Sequence, residues 1–103
     1  MSSVTSVIIT GLFDEEEEKK ALSHLNKFRP NEPVFLDISE TPYAGTKSIE
    51  CFMAVGGFNY LDLSAFAQWV VRLKTILGGD TFETVQVMFK KDHSHTWSFL
   101  QLN

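Results

Sequence analysis

Four groups of side chains have types and spacing that could do chemistry. His93-Ser94-His95 places two imidazoles on one side of an extended segment, and two imidazoles can begin a zinc site. Such a site needs three or four ligands of fixed geometry. Only Asp92 lies near, and His24 would have to arrive from far along the chain. A polar hairpin tip accounts for the same residues, so no metal and no cofactor is assigned. Cys51 is the lone cysteine and the only thiol nucleophile. Reactive thiols sit in accessible, electropositive settings. No basic residue lies close to Cys51 in sequence, so it reads as a small core hydrophobe.

The other two groups point to recognition. Glu15, Glu16, Glu17 and Glu18 form an acidic run. It has neither the alternating oxygen ligands nor the central glycine of a calcium loop. As a solvated helix start it satisfies the helix dipole. As a docking face it would steer a basic partner and raise the rate of association. Phe58, Tyr60 and Trp69 are aromatics that follow near the Gly56-Gly57 pair. Aromatics on a polar rim anchor interfaces, and aromatics over a helix start also close a core. No phosphate-binding glycine loop, GxSxG or HExxH pattern is present. No catalytic residue is assigned, and the expectation is a protein that is not an enzyme.

Composition supports that direction. A chain of 103 residues, 44% hydrophobic and 21% charged, fits one α+β domain over 1–103 with a core of its own. The net charge of −4 argues against direct contact with nucleic acid, whose phosphates need clustered Lys and Arg. Residues 1–50 hold nine acidic and five basic side chains, whereas residues 51–103 hold four of each, so the acidic excess lies in the first half. No apolar run is long enough to span a membrane and no signal peptide is recognisable, so a cytoplasmic setting is expected.

The elements that would position these groups follow from periodicity. Val7 to Phe13 is short, apolar and β-branched, which predicts a buried central strand, with Met1 to Ser6 frayed. Asp14 and Glu17 have capping-box spacing. The helix they start carries Ala21, Leu22, Leu25 and Phe28 on one stripe and stops by Arg29, before Pro30. Val34 to Ile38 and Ser48 to Val55 alternate as strands joined through a loop over 39–47. The Gly56-Gly57 pair is expected to interrupt the second of these, by a bulge or a close backbone approach, and to leave Phe58 and Tyr60 on a loop. Asp62 or Ser64 caps a second helix with Leu63, Phe66, Val70, Leu73 and Leu77 on its stripe and Gly78-Gly79 as its stop. Strands over 83–90 and 96–102 close the chain around a turn at 91–95.

The order βαββαββ predicts a ferredoxin-like two-layer sandwich: an antiparallel sheet, two helices on one face, and an added C-terminal strand. Phe35, Phe52 and Met88 are the candidates for its second face, where an apolar patch would serve a partner or a homodimer. Fold alone carries no function. The expectation is a small acidic binding protein that occludes a macromolecular, basic protein partner. It takes the form of a bacterial immunity protein or a phage-encoded inhibitor of a host nuclease or defence complex. Glu15 to Glu18 would steer, and Phe58 and Tyr60 would anchor. The alternative is a small-molecule-sensing regulatory domain, dimeric through its sheet. A third possibility is an enzyme or metal protein using His93, His95 and Cys51.

Overall fold

Eight residues of β1, Val4–Gly11, alternate between two environments: Thr5, Val7, Ile9 and Gly11 are buried, whereas Ser6, Ile8 and Thr10 are not. This alternation sets up the whole domain. The computed structural model describes residues 3–32, 34–39 and 51–102. The described elements continue with α1 (Glu15–Asn26), β2 (Leu36–Asp37), β3 (Phe52–Asn59) and α2 (Leu63–Val71). After these come α3 (Leu73–Leu77), α4 (Gly79–Phe82), β4 (Gln86–Lys91) and β5 (Ser98–Phe99). The five strands form one antiparallel sheet in the order β2-β3-β1-β4-β5, which makes the chain an α+β protein.

The helices lie on the face to which Val7 and Ile9 point. There Ala21 and Leu25 of α1 and Phe66, Val70 and Leu73 of α2 and α3 meet Phe52, Ala54 and Phe58 of β3 and Val87 of β4 in one core. Helix α1 starts as its sequence dictates. Asp14 Oδ1 accepts a hydrogen bond from the Glu17 amide at 2.8 Å, and Glu17 Oε1 accepts one from the Asp14 amide at 2.9 Å. Glu17 Oε2 also accepts from Thr81 Oγ1 of α4 at 3.1 Å, which ties the cap to the far end of the helical layer. Asp14→Ala is expected to cost about 1 kcal/mol in a urea titration, the usual loss for removing such a cap.

Several boundaries differ from the sequence reading. β1 begins at Val4 inside the segment expected to fray, because Val4 and Thr5 pair with Asn59 and Phe58. The glycine pair does not end the strand: β3 runs through it, with Gly56 opposite Val7 and Gly57 opposite Ser6. Close approach is the physical reason for Gly56. A Cβ there would stand 3.1 Å from Val34 Cγ2 and 3.2 Å from the Val34 carbonyl oxygen. Phe58 is therefore in a strand rather than a loop. Asp62 caps α2 by accepting from the Ala65 amide at 3.1 Å. The single helix expected to run to Leu77 is divided at Arg72, and Gly78 ends its second part at φ 92°. β5 is two residues long, much shorter than the expected 96–102.

The two faces of β2 and β3 are also exchanged relative to expectation. Phe35 and Phe52 are buried on the helix side, and Leu36, Met53 and Val55 occupy the other face. Of the three residues expected there, Met88 alone is on that face. The expected loop and strand residues 40–50 lie outside the described residues.

Candidate functional site

The residues singled out for recognition do not form one site. β1 runs from its pairing with Asn59 to its pairing with Phe52, and α1 begins after three connecting residues at that second end. The chain returns along α1, so that Arg29 donates to the backbone oxygens of Asn59 and Tyr60, at 2.9 and 3.1 Å. Glu15 and Glu16 thus stand at one end of the sheet and Tyr60 at the other.

Phe58 is 2% exposed and packs edge-on against Phe28 and Phe35, so it is a core residue and not a surface anchor. Tyr60 is 71% exposed. Its φ of 54° is the left-handed backbone needed to turn the chain from β3 toward α2. The Arg29 guanidinium and the Ser3 carbonyl hold that corner, the latter accepting the Tyr60 amide at 2.9 Å.

The acidic run has divided duties. Glu17 is engaged in the cap and Glu18 is buried. Glu15 and Glu16 project into water, with Lys19 and Lys20 one turn on at 3.9 and 3.6 Å. Exposed pairs of this kind contribute a few tenths of a kcal/mol. Glu15, Glu18 and Lys19 line a groove of about 280 Å³ together with Leu22 and with Asp37 of β2. Within it Glu18 is buried and engaged, Asp37 Oδ1 accepts from the Ser39 amide and hydroxyl at 2.8 and 2.6 Å, and Lys19 stands beside Glu15, so the exposed Glu15 and the neighbouring Glu16 are the carboxylates that face water.

The other candidates lie apart from one another. His93 Nε2 is 3.9 Å from Asp92 Oδ2 at an exposed turn, and among the described residues no three His, Cys, Asp or Glu side chains are grouped to hold a metal. His24 is committed elsewhere: its Nε2 is 2.7 Å from the Trp69 carbonyl oxygen and must donate to it. Cys51 is half-buried before β3, beside Thr10, Glu83 and Gln86. A second cleft, of about 540 Å³, lies between α2 and the chain end, walled by Leu63, Ala67, Val71, Leu100 and Leu102.

One surface was not legible as a unit in the sequence. On the sheet face opposite the helices, Leu36 pairs with Val55, Val55 with Ile8, Ile8 with Met88, and Met88 with Phe99. Cross-strand partners share a face, so these five residues make one apolar row across all five strands. Leu36 and Phe99 at its ends are 64% and 69% exposed, and the three between are half-buried. The available signal was Val7-Ile8-Ile9 and Val87-Met88-Phe89, apolar on both faces where a one-sided sheet alternates. Among the described residues no helix is long and apolar enough to cross a membrane. Comparison of the chain with protein-family models, with curated proteins and with solved structures finds no match to any of the three.

Proposed function

We propose that this chain is a non-enzymatic binding protein that occludes a basic protein partner. A bacterial immunity protein, or a phage-encoded inhibitor of a host nuclease or defence complex, is the form that fits. The observation that carries this reading is the pair of exposed carboxylates Glu15 and Glu16 at the start of α1, with Leu22 as an apolar wall in the groove beside them. It offers a basic side chain both an apolar wall and carboxylates. Proteins that act on nucleic acid are commonly basic for the sake of the phosphates, and an acidic surface competes for the same charge. Tyr60, exposed at the opposite end, is a separate contact in this reading. The setting is cytoplasmic, in keeping with a single cysteine. For the fold we propose the ferredoxin-like layout with β5 added at one edge. The order β2-β3-β1-β4, with α1 between β1 and β2 and α2 between β3 and β4, supports it.

Capture from the native source at low and physiological salt tests the function. The wild-type chain is expected to retain a basic protein and to block its activity. The double substitution Glu15→Lys with Glu16→Lys is expected to slow association roughly tenfold or more at low salt and to flatten its salt dependence. Failure to retain any protein at either salt concentration would sink the proposal.

The cleft beside α2 favours a second reading, a small-molecule-sensing domain, because its volume falls in the range of ligand pockets. A thermal shift with a metabolite, lost on Ala67→Trp, would select that reading over the first.

A further inference from the structure

Among the described residues no helix lies on the second face of the sheet. Its central row, Leu36–Val55–Ile8–Met88–Phe99, is uninterrupted by any polar side chain. Ile38 and Trp97, two residues from the ends of the row, are 40% and 43% exposed and extend it. Among the paired strand residues Lys90 alone brings a charge to this face, two residues from Met88 on β4.

We propose that this face is the interface of a face-to-face homodimer of the chain. Symmetry is the first argument. A two-fold contact uses the same patch on both copies, and this row is centred on Ile8 in β1, the middle strand of the sheet. With the axis parallel to β1, the row meets itself: Ile8 against Ile8, Val55 against Met88, and Leu36 against Phe99. Large side chains at the two ends then oppose each other across the two sheets.

Charge is the second argument. The chain carries −4, and like charges resist self-association. The acidic groove and the exposed Glu15 and Glu16 belong to the helical layer. Sheet-to-sheet contact turns the two helical layers outward, as far apart as the architecture allows. A charged partner, by contrast, finds little on the sheet face to complement it.

Size is the third. Five strands span roughly 24 Å, and a strand of eight residues is roughly 26 Å long. With short edge strands the face projects on the order of 500 Å², and more in accessible area once side-chain relief is included. That is of the order of the roughly 800 Å² per partner in a standard interface. The dimer would carry two outward acidic grooves, yet it does not depend on what those grooves bind.

Light scattering on size-exclusion eluates of the full chain, over a range of concentration and at two salt strengths, tests the proposal. The expected mass is twice the 11.7 kDa of one chain, insensitive to salt. Leu36→Lys with Phe99→Lys is expected to weaken the dimer at least roughly tenfold. Both positions are largely exposed, so the circular dichroism spectrum should be unchanged. Ile76→Lys on α3, and the Glu15 and Glu16 reversals, should leave the mass at that of a dimer. A wild-type chain that stays monomeric at every concentration overturns the proposal and leaves the face to a different protein. A dimer untouched by the Leu36 and Phe99 substitutions also overturns it, because the interface then lies elsewhere.

Discussion

Phe58→Ala is expected to cost about 3–5 kcal/mol, the range for emptying a large aromatic site in a core. The site has little means of collapsing. Phe58 comes from β3, and its ring meets Phe28 after α1 at 5.8 Å, Phe35 before β2 at 5.5 Å and Phe66 of α2 at 5.7 Å. The Arg29 guanidinium closes the remaining side at 5.1 Å from the ring centre. Four segments would have to move together to fill the space, so most of the cavity should persist. Domains of this size are stable by about 5–15 kcal/mol, so the variant is expected to unfold at much lower urea, and to be partly unfolded without denaturant where the wild type lies at the low end of that range. Phe58→Leu keeps most of the volume and is expected to cost about 1.5 kcal/mol or less. A loss below about 1 kcal/mol for the alanine variant would contradict the placement of Phe58 at the centre of the core. The comparison also bears on recognition: any loss of partner binding on Phe58→Ala should scale with unfolding and be absent from Phe58→Leu.

The burial of Phe58 shows where local sequence reasoning stops. The features set by neighbours three or four residues apart were legible: the Asp14 and Glu17 box, the Asp62 cap and the Gly78 stop all rest on short-range hydrogen bonds or on one residue's φ. The glycine pair was not, because its role depends on distant chain. Taken alone, Gly56-Gly57 reads as a break. In the folded chain it lets the Val34-Phe35 backbone pass within contact of β3 while the ladder to β1 continues. Face assignment failed for a related reason. Phe52-Met53-Ala54-Val55 is apolar at every position, so period two does not say which set faces the helices. Register with β1 decides it, and register is non-local. The same ambiguity hid the apolar row, whose five members lie on five strands and become neighbours only through pairing. The groove was half visible: Glu15, Glu18 and Leu22 share a face of α1 by helical spacing, but Asp37 joins them only when β2 is brought beside that helix.

Trp69 carries the second large effect, because it closes the helical layer upon itself. Its indole Nε1 donates to the His24 carbonyl oxygen at 2.8 Å, and His24 Nε2 donates to the Trp69 carbonyl oxygen at 2.7 Å. Both carbonyls lie in the last turns of their helices, where each accepts a tightened backbone bond, from the Lys27 amide at 3.1 Å and the Arg72 amide at 3.2 Å, and takes the opposite ring as a second donor. Each ring therefore caps the other's helix. The rings also stack, with centroids 4.2 Å apart and planes 7° from parallel, and the Arg72 guanidinium stands 4.9 Å over the indole. Trp69→Phe keeps the stack but loses one donor, and is expected to cost about 1 kcal/mol. Trp69→Ala removes both and is expected to cost about 3 kcal/mol, at the low end for a large aromatic because the ring is only half-buried. If the clasp acts as a unit, the double variant with His24→Ala should be less destabilised than the two single costs added, by about 1–2 kcal/mol. Urea titrations of the four chains measure this directly. Additivity within about 0.5 kcal/mol would mean that the two rings stabilise their helices separately. The junction of α1 with α2 would then rest on Phe28 and Phe66, whose rings meet edge-on at 5.2 Å, and not on the paired caps.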